Sequence, residues 1–125
     1  MPLQVDVVAT DRRVWSGPAQ IIVMRTLDGE LGVLPGHAPL LALLADGPVA
    51  VTAESGEVIR LAIHGGFAIV DSDEVILLAD TAERDTEIDV ARARRARELA
   101  VAAGDEEGVR RSDTRLLLAG QAVAH

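Results

Sequence analysis

The chain has 125 residues, 49% of them hydrophobic, with a formal net charge of -8. That suffices for one domain, or a modest domain with a small appendage, and disfavours a phosphate-backbone ligand, which rewards a basic face. Trp15 and Phe67 are the only large aromatics, and there is neither Cys nor Lys, which removes base-stacking platforms, disulfides, thiolate metal sites, a Walker A loop and Schiff-base chemistry.

In chain order, the N-terminal "MPLQVDVVATDRRVW" lacks a basic region followed by an apolar core. No apolar run approaches the ~20 residues that span a bilayer, so any membrane association is expected to be indirect. Up to Ala82 short apolar or alternating stretches follow one another: "LQVDVVA", "AQIIVMR", "ELGVL", "PLLALL", "PVAVTA", "VIRLAIH", "FAIV" and "EVILLA". Gly, Pro and Asp separate them, and this spacing predicts an antiparallel sandwich or flattened barrel. Ser55–Glu57 and Asp71–Glu74 are the clearest hairpin turns. Around the Pro35-Gly36-His37 tip, Leu34, Pro39, Leu40 and Leu41 crowd more apolar surface than a domain this small can bury, which predicts a partner-facing surface.

After Ala82 the pattern changes. Between Thr86 and Ala103 there is no Gly or Pro, and the stretch is rich in Ala and Arg, so a helix is expected. Thr86 and Asp89 resemble a capping box, and Gly104 supplies the stop. A second helix is expected within Val109–Ala119, completing an αα-hairpin. Ala93, Ala96, Ala100 and Ala103 form one narrow stripe of small side chains. The larger apolar groups beyond Ala82 are few, among them Ile88, Leu99, Leu116 and Val123, so the hairpin is lightly anchored and able to detach. Charge divides likewise: four Arg face eleven acids up to Ala82, and eight Arg face nine acids from Glu83 onward. A basic helix is thus tethered to an acidic sandwich; it is either a solvated face, with Arg94 and Arg95 near Glu98, or a surface for an anionic partner.

No catalytic constellation emerges. His64-Gly65-Gly66-Phe67 resembles a lipase oxyanion loop, but no G-x-S-x-G nucleophile elbow accompanies it, and a Gly pair ending a strand is the simpler reading. His37, His64 and His125 lack metal-ligand spacing, and the carboxylates are scattered.

The segment "GELGVLPGHAPLLALL", with "VATDRRVWSG" before it and "GGFAIV", "VILLADTAE" and "EIDVARARRARELA" after it, resembles the epsilon subunit of bacterial F-type, proton-translocating ATP synthases over nearly the whole chain. The resemblance implies a ten-stranded β-sandwich over residues 1–82 that binds the rotor, and a C-terminal antiparallel helical hairpin over 83–125 that regulates. It implies a non-catalytic central-stalk subunit that couples proton flow through the c ring to ATP synthesis. The resemblance also implies a place on the cytoplasmic face of the cell membrane, with contacts to the gamma subunit and c ring through Glu30, Leu34, Pro35, His37, Pro39 and Leu40. The hairpin is expected to restrain ATP hydrolysis by extending towards the catalytic beta subunits. Here the second helix is short and carries Ser112, Asp113, Thr114 and Gly120, whereas strongly inhibiting members have a longer, more basic one.

Ile88, Asp89, Arg92 and Ala93 match the I-D-x-x-R-A pattern that some family members use to bind ATP. Arg92 would pair with phosphate oxygens and Asp89 accept from adenine or ribose, with Glu83 closing the base pocket and Arg95 or Arg115 adding charge. No cofactor is required, and ATP would be regulatory. The bland alternative is an ordinary Asp89–Arg92 surface pair. Two competing functional readings stand beside this one: a free-standing β-sandwich adaptor using the Pro-Gly-His tip, and a small enzyme depending on His37 or His64.

Overall fold

Alternation in "LQVDVVA" becomes strand β1 (Leu3–Ala9), whose Leu3, Val5 and Val7 are fully buried while Gln4 faces out. The molecule is described from a computed structural model over residues 2–120, the described residues; Val123 and His125, named above, lie outside them. Strand β2 (Arg13–Thr26) is the longest at 14 residues. Next come β3 (Gly29–Val33), β4 (Leu40–Leu43), β5 (Gly47–Ala53), β6 (Val58–His64), β7 (Phe67–Asp71), β8 (Glu74–Ala79) and β9 (Thr81–Arg84). The sheet runs β4-β7-β8-β1-β2-β5-β6-β9, with β3 on β2, and its two ends do not pair. Only β1 with β8 is parallel.

Nine strands are present among the described residues, where the resemblance implied ten. The reason lies in β2, whose first half pairs β1 while its second half pairs β5 and β3. A register irregularity between Ala19 and Ile21 bends it from one layer to the other. Inward residues of both layers meet in one cluster, including Val5, Ile22, Met24, Val51, Leu61, Val70 and Leu77.

Two strand segments went unforeseen. The first half of β2 reads "RVWSGP", without apolar alternation, and β9 reads "TAER"; both exist because a neighbouring ladder accepts them. β9 also carries the last strand two residues past the Ala82 boundary. The Asp71–Glu74 hairpin turns through Ser72 and Asp73 at φ 50° and 62°, the two consecutive positive values that a type I′ turn requires.

Helix α1 spans Val90–Ala103 and α2 Glu106–Leu118. The expected cap at Thr86 is corrected: Thr86 lies in a 3₁₀ turn, Asp85–Glu87, and the cap is Asp89, whose Oδ1 accepts from the Arg92 backbone N–H at 3.0 Å. Gly104 ends α1 at φ 70°, as expected. α2 starts three residues before Val109, because Asp105 caps it by accepting from the Gly108 N–H at 3.0 Å.

Within the Ala stripe, Ala93 and Ala100 are buried while Ala96 and Ala103 are exposed. Leu116 is the one large hydrophobic residue of the described hairpin that is fully buried; Leu99, Val101 and Leu117 face solvent. α1 packs on α2, and α2 lies on the outer face of β5 and β6. Ion pairs supplement this thin apolar contact. Arg111 reaches Asp46 at 2.9 Å, Arg115 reaches Glu83 at 2.6 Å, and Arg97 ties α1 to Asp113 at 2.6 Å.

Candidate functional site

The Pro-Gly-His tip is built by the β3–β4 connection. Gly36 turns at φ 86°, and the His37 N–H donates to the Leu34 carbonyl at 3.1 Å. The Gly36 N–H donates to Asp73 Oδ1 at 2.7 Å, so the β7–β8 hairpin braces the tip. Glu30, Leu34, Pro35 and Pro39 are exposed, and His37 and Leu40 half-buried; Leu40 leans on the core. All six expected interface residues thus lie at or beside one accessible end of the sandwich.

To Leu41, expected at the tip, the structure adds Leu43, Phe67 and Ile69, which the sequence did not mark: Leu41 pairs with Ile69 and Leu43 with Phe67 across β4 and β7. Leu41 and Leu43 are 69% and 61% exposed, Ile69 and Phe67 37% each, giving a sheet face with no polar side chain at these four positions. Leu27, 67% exposed, extends it beside a cleft lined by Glu30, Leu31 and Leu40. The signal was present in "LLAL", where alternation leaves Leu on both faces, but the partner strand was not legible.

A second site lies where the sandwich meets the hairpin. Glu83, Glu87, Asp89, Arg92, Ala93 and Arg115 line a cleft of about 400 Å³. Four of the five expected nucleotide residues are there, as is Arg115; Ile88, half-buried, is not on the wall, and neither is Arg95. Arg115 is held by Glu83. Glu87 accepts from Arg12 at 3.1 Å and from the Arg84 N–H at 3.0 Å, and the Arg12 hydrogen bond leads in holding its carboxyl below the usual range. The Asp89–Arg92 side-chain pair of the bland reading does not form; the Asp89 carboxylate is used on the backbone instead. Among the described residues the Arg92 guanidinium has no ion-pair partner within the chain, so one cation of the cleft is available.

His64 is 2% exposed, and neither ring nitrogen has a hydrogen-bond partner. The adjoining Gly pair has a packing explanation: a Cβ on Gly66 would overlap the Leu78 carbonyl oxygen, at φ 104°. Among the described residues no cluster of His, Asp or Glu could hold a metal ion, and no helix is long and apolar enough to cross a membrane.

A sandwich of this topology followed by a two-helix hairpin defines a class of protein. The family model "ATP synthase, Delta/Epsilon chain, beta-sandwich domain" matches residues 2–85. The "ATP synthase epsilon chain" of Streptomyces griseus is 49% identical over 114 residues, covering 91% of this chain and 92% of that one. "ATP synthase epsilon chain 2" of Ralstonia nicotianae is 48% identical over 101 residues, 80% of this chain and 73% of that one. A chain of the Euglena gracilis mitochondrial ATP synthase, solved as OSCP/F1/c-ring, superposes with a TM-score of 0.73 at 30% identity, over 92% of this chain and 75% of that one. The chain belongs to the ATP synthase epsilon-chain family. It is accordingly a non-catalytic subunit of a proton-transporting ATP synthase, associated with other subunits of that complex.

Proposed function

We propose that this subunit turns with the central stalk, transmitting torque between the c ring and the gamma subunit while its hairpin restrains ATP hydrolysis. The observation that carries the rotor reading is the exposed end of the sandwich: the Glu30–Leu40 tip continuous with Leu41, Leu43, Phe67 and Ile69. A chain keeping that much contiguous apolar surface has a partner to cover it. Glu30, at the rim, suits the polar loops of a c ring, and His37 and the Leu face suit gamma. In this reading the sandwich of residues 1–82 assembles with the rotor at the cytoplasmic face of the membrane, and residues 83–125 regulate. The regulatory part is supported by the hairpin's thin apolar seam and the ion pairs that supplement it, since such a docking is reversible at modest cost. Extended, its Arg-rich first helix would meet acidic segments of the catalytic beta subunits.

The cleft residues fit a regulatory nucleotide in their chemistry. Arg92 is available for phosphate oxygens, while Glu83 and Asp89 offer acceptors for a base or ribose. Arg115 would have to exchange Glu83 for phosphate. A nucleotide would supply charge that ties the two helices to the sandwich, and it would favour docking only by its excess affinity for the docked form.

Reconstitution of an epsilon-free rotor and catalytic head tests the assignment. Full-length protein should co-purify with gamma and lower hydrolysis, and hairpin-deleted protein should bind equally but restrain less. Failure to bind a gamma-like chain would favour the free-standing adaptor. Calorimetry with ATP tests the cleft: heat at millimolar ATP that disappears in Arg92→Ala is expected, and no heat in the unmodified chain removes the nucleotide from the proposal.

A further inference from the structure

We propose that His64 is a pH-sensitive release for the hairpin: protonating this histidine, buried beneath α2, ejects the helix from the sandwich. The inference rests on the hairpin being detachable, as proposed above.

Alternation along β6 decides where the ring lies. Ile59, Leu61 and Ile63 point into the core cluster, while Arg60, Ala62 and His64 occupy the opposite face. α2 packs on β6, as does the 3₁₀ turn Asp85–Glu87, and Ala62 and His64 on that outer face are 0% and 2% exposed. With Arg111 and Arg115 of α2 close enough to act on the ring, the docked hairpin is part of what buries the imidazole. Both ring nitrogens lack partners, so the docked site offers nothing to hold a second ring proton.

Charged groups come from several elements around the ring, and the 3₁₀ turn that also packs on β6 carries Asp85 and Glu87, the latter bound to Arg12. α2 contributes Arg111 and Arg115, the β4–β5 connection Asp46, β9 Glu83, and the β8–β9 turn Asp80, which lies against Gly65. The carboxylates nearest the helix are already committed: Asp46 accepts from Arg111 and from the Gly65 N–H, and Glu83 accepts from Arg115. A new imidazolium would sit beside two guanidiniums, with neither ring nitrogen placed to reach an acceptor in the docked geometry. Burial first, and then Arg115, push the His64 pKa down to about 4. With the hairpin lifted, the ring meets water and returns towards ~6.5. The depressed value belongs to the docked state, so the neutral ring's contribution to docking is fully present above pH ~6.5 and is lost as pH falls from there towards 4. Between pH 7.5 and 5.5 the ratio of lifted to docked hairpin should rise roughly tenfold. Asp46 does not share that window: burial raises its carboxyl pKa, but the Arg111 hydrogen bond and charge lower it further.

The test is hydrogen–deuterium exchange of the full chain between pH 7.5 and 5.5, corrected for intrinsic exchange. Amides of α2 should show an opening constant that grows about tenfold, while those of β1 remain unchanged, and His64→Gln should abolish the growth. A pH-independent opening constant, or growth that persists in His64→Gln, overturns the switch. Exchange of α2 only by global unfolding, at the rate of β1, overturns detachability as well. Should His64→Gln not fold, the ring resonances of the unmodified chain decide: a midpoint at the ordinary ~6.5 with α2 still protected overturns the proposal, and a strongly depressed one with tenfold opening supports it.

Discussion

At Gly66 one missing Cβ settles how β7 can follow β6. The position has φ 104° and faces the Leu78 carbonyl oxygen, so Gly66→Ala combines backbone strain with an overlap that β8 cannot relieve without shifting. A loss of roughly 1–3 kcal/mol or more is expected, read from the urea midpoint of the isolated subunit; an unchanged midpoint would show that the β7–β8 pairing yields easily. The sequence made the Gly pair conspicuous and its role as a strand end legible. It could not show the carbonyl, which lies on a strand twelve residues away. Asp89 makes a related point. Its carboxylate caps α1, and Asn caps as well as Asp, so Asp89→Asn separates the roles: helix content should persist, and ATP affinity should fall if the carboxylate also serves the nucleotide. Calorimetry and circular dichroism on the same sample check both.

Among the elements, the helices depend on their ends more than on their faces. α1 has only Ala93 and Ala100 buried, and α2 only Ser112 and Leu116, so the apolar seam is slight and caps carry a larger share of the stability. Asp105→Ala removes the α2 cap and should cost about 0.5–2 kcal/mol of hairpin stability, measured by exchange of α2 amides with the sandwich unaffected. Glu83→Gln, in contrast, breaks a partly exposed ion pair with Arg115 and should cost about 1 kcal/mol or less. Double mutation with Arg115→Ala measures the coupling. The early start of α2 was obscured because Asp105, Glu106 and Glu107 read as a solvated acidic turn. In the structure the first is a cap and the other two sit at the positive end of the helix dipole. The displaced start of α1 has the same origin, since a Thr and an Asp three residues apart offer two caps and local propensity does not choose between them.

For the whole molecule, the sandwich and the hairpin differ in how they are held. Twenty-one buried residues, from eight of the nine strands and from Leu44 just past β4, form one core cluster, and none comes from the hairpin. A chain cut after Asp85, which keeps β9 whole, is therefore expected to melt cooperatively and retain rotor binding. Loss of both would make the halves one folding unit. The exposed β4–β7 face invites the complementary test. Leu41→Asp with Leu43→Asp should leave the isolated subunit within about 0.5 kcal/mol per site, as for ordinary surface changes, yet abolish co-purification with the rotor. Retained binding would move the interface elsewhere.

By itself the sequence determined the order of the parts: alternating strands, a Pro-Gly-His tip that cannot bury its leucines, and an Ala- and Arg-rich helical tail. These follow from periodicity and composition, which act over a few neighbouring residues. Tertiary structure alone decided that β2 bends to serve both layers, that "TAER" is a strand, and that Leu41 and Leu43 join Ile69 and Phe67 in one face. It also decided that His64 is buried on the face of β6 where α2 packs, and that Arg115 rather than Arg95 joins Glu83 and Arg92 around the cleft. Each of these depends on a contact between residues far apart in the chain, and local pattern carries no term for which distant strand or helix will arrive.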